Sequence, residues 1–385
     1  MRRTDVQVND LDHDRLRRLA ALHPQNGHKV LSVYMDLDPA SFGTQPARAS
    51  QITSLVDAAE RHARNADLDN DAKKALRIDV GRVRDFLRGD FSAKGAHALA
   101  LFASGPSDLF EVLRLPDAVP GAVVVNDTPW LDPLIGHGRG RRCIALVNRR
   151  TLRLFADTPD GSLHEVEAFA DLVPSQHDNG GLSQSNYQRS IEEEVRKHLD
   201  HAATALLDHY RSEPFKRLAI GISAERWPDF ERMLHPYLRE RLLGRFDVDV
   251  ENAGADQALA AAQPLFAAAD ERHLGELLDK LNAGLAHGEK AAAGLGDVLD
   301  ALNERRVSTL LYEAGFASPG YACPTSGWLG VGPGGCPSGE GNAVPRDNIL
   351  EDAIAAAIVQ RADVHALRDR PELGPHGGIA SVLRF

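Results

Sequence analysis

The chain has 385 residues, a length that points to two or three domains rather than one. Hydrophobic residues make up 43% and charged residues 26%, so each domain can bury a core, and no run of 18 apolar residues offers a membrane-spanning helix. With 44 basic against 55 acidic side chains the formal charge is −11, which argues against a general nucleic-acid binder and leaves room only for local basic contacts.

The opening "MRRTDVQVNDLDHDRL" has two arginines but no apolar stretch behind them, so it does not read as a secretory signal. Residues 1–28 read as polar and helical. "KVLSVYMDLD" (Lys29–Asp38) is rich in β-branched residues and predicts a buried strand. Residues 48–93 carry helical periodicity, with Ile52, Leu55, Val56 and Ala59, then Leu76, Val80, Val83 and Leu87, on the apolar faces. "AHALALFASG" and "LFEVLRLPDAVPGAVVVND" predict strands joined by glycine and proline turns. Proline and glycine then break the pattern over Thr128–Gly140 and mark a first domain boundary.

"RCIALVNRRTLRLFADTPDGSLHEVEAF" predicts two or three strands with turns at Asn148-Arg149 and Pro159-Asp160-Gly161. The region from Arg139 to Arg153 holds six arginines in 15 residues (Arg139, Arg141, Arg142, Arg149, Arg150 and Arg153). They are candidates for phosphate contacts, with the solvated rim of a hairpin as the equal alternative. The glycine-broken loop "HDNGGLSQSNYQ" follows, and a long helix begins near Ser185. Ser185 and Gln188 have capping-box spacing, and Ile191, Val195, Leu199, Ala203 and Leu206 continue the apolar stripe from Tyr187. "RLAIGISA" predicts another buried strand. Alternating strands and helices make this middle part α/β.

An alanine-rich helical region opens near residue 254. "VSTLLYEAGF" predicts a strand, "NILEDAIAAAIVQRADVHALRD" a helix turning into a strand at "ADVHAL", and "GGIASVLRF" a closing strand or short helix. The domains are placed at 1–133, 134–253 and 254–385, all of class α/β.

The loop carries the sharpest chemical signal. Gly180 and Gly181 permit a close backbone approach to a ligand. Gln184 has no useful pKa, so it is no general base, but its amide can orient a water while backbone N–H groups stabilise an oxyanion. A capped helix start explains the same residues without chemistry.

Three blocks of the chain resemble the archaeal–eukaryotic class of peptide-chain release factors, in particular their bacterial relatives. "LSVYMDLD" resembles the first core strand of that family's N-terminal domain. "NGGLSQSNYQRSIEEEVRKH" resembles the loop and helix of its middle domain. "VSTLLYEAGF", "ILEDAIAAAIVQRADVHAL" and "GGIASVLRF" resemble its C-terminal domain. The resemblance implies a three-domain release-factor-like architecture: a mixed-sheet N-terminal domain, an RNase H-like middle domain and an L30e-like C-terminal domain. It also implies a cytoplasmic factor whose partners are the ribosome and tRNA, with a translational GTPase a further partner. Release factors of this class carry Gly-Gly-Gln, and Leu182 stands where their glutamine does. A related branch of peptidyl-tRNA-releasing or tRNA-cleaving factors uses Gly-x-x-Gln, which Gly181-Leu182-Ser183-Gln184 matches. Gly180, Gly181 and Gln184 are therefore the catalytic candidates. Arg189, at the family's helix start, is a candidate RNA contact alongside Arg139, Arg141, Arg142, Arg149 and Arg150, or else an ion-pair partner of Glu192 or Glu193. No Asn-Ile-Lys-Ser stretch is present, which speaks against stop-codon reading.

No cofactor or metal is expected. Cys323 and Cys336 keep one cysteine of each zinc-ribbon pair and have no histidine nearby, so "CPTSGWLGVGPGGCPSGEG" reads as a glycine-rich insertion. The three cysteines cannot make a disulfide framework, which suits a cytosolic protein. His198 and His201, at i and i+3, read as a solvated helix face. No nucleophile elbow or phosphate-binding loop appears. Three functions stay open: hydrolysis of peptidyl-tRNA, non-catalytic occupation of the ribosomal A site to protect idle ribosomes, and cleavage of the tRNA acceptor end with His177 or Asp178 as base.

Overall fold

The computed structural model describes residues 8–10, 12–24, 27–37, 44–89, 96–115, 118–135, 141–157, 163–173, 184–333, 342–368 and 370–385. The chain forms two compact units, one of residues 1–138 with 276–385 and one of residues 139–275.

The first unit opens with β1 (Val8–Asp10), α1 (His13–Ala20), β2 (Val30–Asp36), α2 (Gln45–Asn65), α3 (Asn70–Arg88), β3 (Ala98–Ser104), β4 (Leu109–Leu115) and β5 (Ala122–Asn126). Each helix starts on a side chain that accepts a backbone N–H: Asp12 for α1, Thr44 for α2 and Asp69 for α3. The strands form one sheet in the order β1-β4-β3-β2-β5, parallel only between β1 and β4. The residues before α1 are thus not all helical. A three-residue edge strand is too short for a period of two to register against its surroundings.

Both faces of this sheet are covered, which is why β2 and β3 read as continuous apolar runs. Leu99, Leu101 and Ala103 pack with α2 and α3, where all eight apolar positions expected from periodicity are buried. Ala98, Ala100 and Phe102 alternate to the opposite face and join a second core. That core runs on into the C-terminal part of the chain through Val298, Leu299, Tyr312, Ile349 and Ile354.

The C-terminal elements of this unit are β11 (Ala291–Ala293), α8 (Leu295–Asn303), β12 (Val307–Glu313), α9 (Ile349–Val359), β16 (Asp363–Leu367) and β17 (Ile379–Leu383). Their sheet has the order β11-β17-β12-β16. Between β12 and α9, β13 (Gly320–Ala322), β14 (Leu329–Gly330) and β15 (Val344–Arg346) make a small separate sheet in the order β14-β13-β15. The glycine-rich insertion therefore holds regular pairing at its base. Cys323 there is buried and disulfide-bonded, Cys143 is free, and Cys336 lies outside the described residues. A disulfide removes the cysteine count as an argument about compartment.

A polar seam ties the two parts of this unit. Asp127 takes Lys29 at 2.7 Å and also pairs with Arg346, whose Nε reaches Asp352 at 3.3 Å. Asn126 donates to Glu351, and Tyr312 donates to Asp132. Burial, with the neighbouring Asp352 charge, pushes the Glu351 carboxyl up to about 7, and burial raises Asp352 as well.

The second unit contains β6 (Arg142–Val147), β7 (Thr151–Asp157), β8 (Leu163–Ala170), α4 (Gln184–Ser212), β9 (Arg217–Gly221), α5 (Trp227–Met233), α6 (Pro236–Arg239), β10 (Leu242–Phe246) and the start of α7 (Ala255–His287). The division between units falls at Gly275, inside α7. The sheet order is β10-β9-β6-β7-β8, with β10, β9 and β6 parallel and β7 antiparallel to both its neighbours. Cys143, Ala145 and Val147 of β6 face α4, α5 and α6. Ile144 and Leu146 face the other way, toward Ala258, Ala262 and Phe266 of α7.

Candidate functional site

The catalytic candidates lie at the entry to α4. Gln184 is the first residue of that helix, while Gly180, Gly181 and Leu182 lie outside the described residues, as does Arg139. α4 is held to the sheet by Ile191, Val195, Leu199, Ala202, Ala203 and Leu206, the spacing of one helix face. Glu192, at the start of this gripped stretch, takes both ends of the Arg226 guanidinium at 2.7 and 3.1 Å. That hydrogen bonding holds the Glu192 carboxyl below its usual range. From Glu192 back to Gln184 is eight residues, or about 12 Å of helix.

The other end of the loop is also anchored. The β8 strand ends at Ala170, opposite Thr151, and the Asp171 N–H donates to the Arg150 carbonyl at 2.8 Å. The Asp171 carboxylate meets His198 Nδ1 at 2.7 Å and His201 Nδ1 at 3.1 Å, both on α4. Burial works to raise this carboxyl, and the two imidazole hydrogen bonds outweigh it and hold it below the usual range. His201 also stacks on Phe169, with ring centroids 4.2 Å apart. The histidine pair is thus no solvated face, since His198 is buried. The i, i+3 spacing was visible in the sequence, but its carboxylate partner sits 27 residues upstream, where no local signal reaches.

Removing that partner has a defined consequence. Asp171→Ala leaves buried His198 with neither ring nitrogen bonded, because Nε2 already has no protein acceptor or donor. The cost expected for such an orphan is about 1–3 kcal/mol, read as a lower urea midpoint for the second unit. Asp171→Asn keeps an acceptor and is expected to lose less. Equal midpoints for Asp171→Ala and the parent would contradict the clamp.

The arginines clustered in sequence separate in space. Arg141 and Arg142 precede and begin β6, whereas Arg149 and Arg150 follow its far end, so about 20 Å of strand lies between the pairs. Most are engaged. Arg142 makes a bidentate pair with Asp157, with contacts of 3.0 to 3.1 Å. Arg141 pairs with Glu213 and donates to the Asp157 carbonyl at 2.9 Å. Arg150 pairs with Glu251 at 3.0 Å. Arg153 pairs with Glu165 at 2.7 Å and also donates to the carbonyls of Val250, Glu251 and Ala253. Arg149 is half-buried, and its Nε has no acceptor. Arg189 is exposed on α4, and the carboxylates suggested for it are taken, Glu192 by Arg226 and Glu193 by Arg196 at 2.9 Å. Among the described residues, no group of three or more His, Cys, Asp or Glu is placed to hold a metal ion, and no helix is long and apolar enough to cross a membrane.

Residues 129–267 match the family model described as Bacterial archaeo-eukaryotic release factor family 10. No curated protein matches the chain. Among solved structures, the archaeal translation termination factor aRF1 is similar at 17% identity and TM-score 0.26, over 98% of this chain and 99% of that one. Pelota of Archaeoglobus fulgidus is similar at 14% identity and TM-score 0.35, over 98% and 94%. Dom34 of S. cerevisiae, described as a translation termination-like factor, is similar at 10% identity and TM-score 0.41, over 98% and 94%.

Proposed function

We propose, from the match of residues 129–267 to the model of bacterial archaeo-eukaryotic release factor family 10, that the chain is a ribosome-associated translation factor acting on peptidyl-tRNA by ester hydrolysis through its Gly-x-x-Gln loop. The observation that carries this reading is the mounting of the loop. The segments at its two ends are tied down, Asp171 to His198 and His201 of α4 and Glu192 of α4 to Arg226, while α4 carries Gln184 about 12 Å beyond the latter. A loop on such a base can enter another molecule's reaction centre without paying to order its supports. Gln184 is assigned the water, Gly180 and Gly181 the close backbone approach.

The strand order of the second unit, with its one antiparallel inner strand, supports reading it as RNase H-like. The four-stranded C-terminal sheet flanked by α8 and α9 supports the L30e-like reading. The division into domains 1–133, 134–253 and 254–385, a cytoplasmic site of action and delivery by a translational GTPase belong to the same proposal. Leu182, in place of the family glutamine, favours a second reading, a non-catalytic A-site occupant that protects ribosomes.

Ribosomal RNA contact is assigned first to Arg189 and Arg149, since Arg141, Arg142 and Arg150 would have to exchange a carboxylate for a phosphate. Few free arginines among the described residues of this cluster mean a shallow contribution from it to the salt dependence. Sedimentation with 70S ribosomes is expected to fall between low and moderate salt with a slope of about one to two phosphates, and Arg189→Ala is expected to reduce it by about one. Co-sedimentation that ignores salt would remove the phosphate contacts, and no co-sedimentation at any salt would remove the ribosome.

A further inference from the structure

A cavity of about 360 Å³ opens at the carboxyl ends of β6, β9 and β10, lined by Arg149, Ser223, Arg226, Asp247, Asp249 and Glu251, with valines between them. The position matters. After β6 the chain turns to β7 on one side, and after β9 it turns to β10 on the other, so the cavity sits where the sheet reverses its direction of growth. Open parallel sheets bind ligands at that place, because two loops part there and leave a crevice. Gly221 shapes the wall. A Cβ on it would meet Leu146 and Val248 at 2.6 Å, so glycine alone lets Val248 close against the end of β9.

The polar groups are of two kinds. Arg149 brings a guanidinium whose buried Nε has no acceptor in the protein, an arrangement that a bound oxyanion completes. Arg226 is already paired with Glu192 and Glu225, so its charge is balanced within the protein. The carboxylates of the lining are fixed in place. Asp247 is held by Arg245 at 2.7 and 2.9 Å, Asp249 by the N–H groups of Glu251 and Asn252 and by the Asn252 amide, and Glu251 by Arg150. Fixed carboxylates keep spare lone pairs for hydroxyl donors and repel a bare anion. The Arg149 guanidinium repels a bare cation. A ligand that satisfies both kinds of group carries an anion and hydroxyls. The volume lies at the low end of small-molecule sites, about 300 to 1,000 Å³, which suits one such unit rather than a dinucleotide.

We propose that this cavity binds a single ribose phosphate, with the phosphate on Arg149 and the sugar hydroxyls on the Asp247, Asp249 and Glu251 carboxylates. The proposal stands without the ribosomal reading, because it concerns the protein alone. The ligand is either a free mononucleotide or the terminal nucleotide of an RNA strand, and the chemistry is the same in both.

The test is calorimetric titration of the purified full chain with AMP, with inorganic phosphate and with a trinucleotide RNA ending in CCA. AMP or the trinucleotide is expected to bind in the micromolar to millimolar range, and inorganic phosphate at least about tenfold more weakly than either. Tighter AMP binding identifies the free nucleotide as the source, and tighter trinucleotide binding an RNA end. Arg149→Ala is expected to weaken binding at least about tenfold, as is Ser223→Leu, which adds bulk to the cavity lining and removes no charge. Either variant suffices if the other fails to fold. No binding of AMP or trinucleotide at millimolar concentration, equal binding of inorganic phosphate, or unchanged binding by a folded variant would overturn the proposal.

Discussion

A Glu351→Gln variant is expected to be more stable than the parent above neutral pH and indistinguishable from it near pH 4. Burial and the adjacent Asp352 charge raise the Glu351 carboxyl from 4.5 to about 7 in the folded protein. A raised carboxyl means that the folded state holds a proton the unfolded state has released. Its favourable contribution is complete below the unfolded value near 4.5 and is lost as pH climbs through about 7. The size follows from the shift, about 3 kcal/mol between the two limits. Glutamine mimics the protonated acid at every pH and keeps an acceptor for Asn126, so the loss disappears in the variant. Asp352 is raised too, and its response remains in both proteins, so the difference between them isolates Glu351. Urea unfolding from pH 4 to 9, followed through Trp130 and Trp328 in this unit, checks it. A difference that stays constant with pH would contradict a neutral Glu351 in the folded seam.

Much of the fold was legible because burial leaves a period. The eight apolar positions of α2 and α3 repeat at helical spacing and all point into one core. Alternate residues of β3 go to opposite cores, yet both sets are apolar, so the strand still reads as a strand. The elements that escaped are those without a strong period. β1 has three residues, and β10 is a half-exposed edge strand interrupted by Gly244 at a register shift. The small sheet around Cys323 is made of two- and three-residue strands held by local pairing.

The candidate site was legible in the opposite way, in its loop but not in its supports. Glycines and a glutamine at a helix start can be read along the chain. The Asp171 clamp and the Glu192–Arg226 pair join residues 27 and 34 positions apart. The arginine cluster disperses for the same reason. Neighbours in sequence go to opposite ends of β6, and their carboxylate partners come from as far away as Glu251, 101 positions from Arg150. Strand geometry, which no composition reveals, decides which of these charges share a surface.

The larger expected effect concerns catalysis. If Gln184 places the attacking water, Gln184→Ala removes an orienting group that acts only as the bond breaks, so the rate falls while binding stays. Loss of one such positioned group costs about 100- to 1,000-fold. The fold is expected to tolerate the change, because burial in α4 begins only at Ile191 among its described residues and the clamp lies elsewhere. The decisive measurement is therefore single-turnover release of a labelled peptide from ribosome-bound peptidyl-tRNA, with parent and Gln184→Ala protein at saturating concentration. Release by the parent and a loss of at least about 100-fold in the variant are expected, with ribosome binding unchanged. Ribosome binding without release by the parent, or equal release by both proteins, would contradict a water-placing Gln184 and leave the loop an anchor.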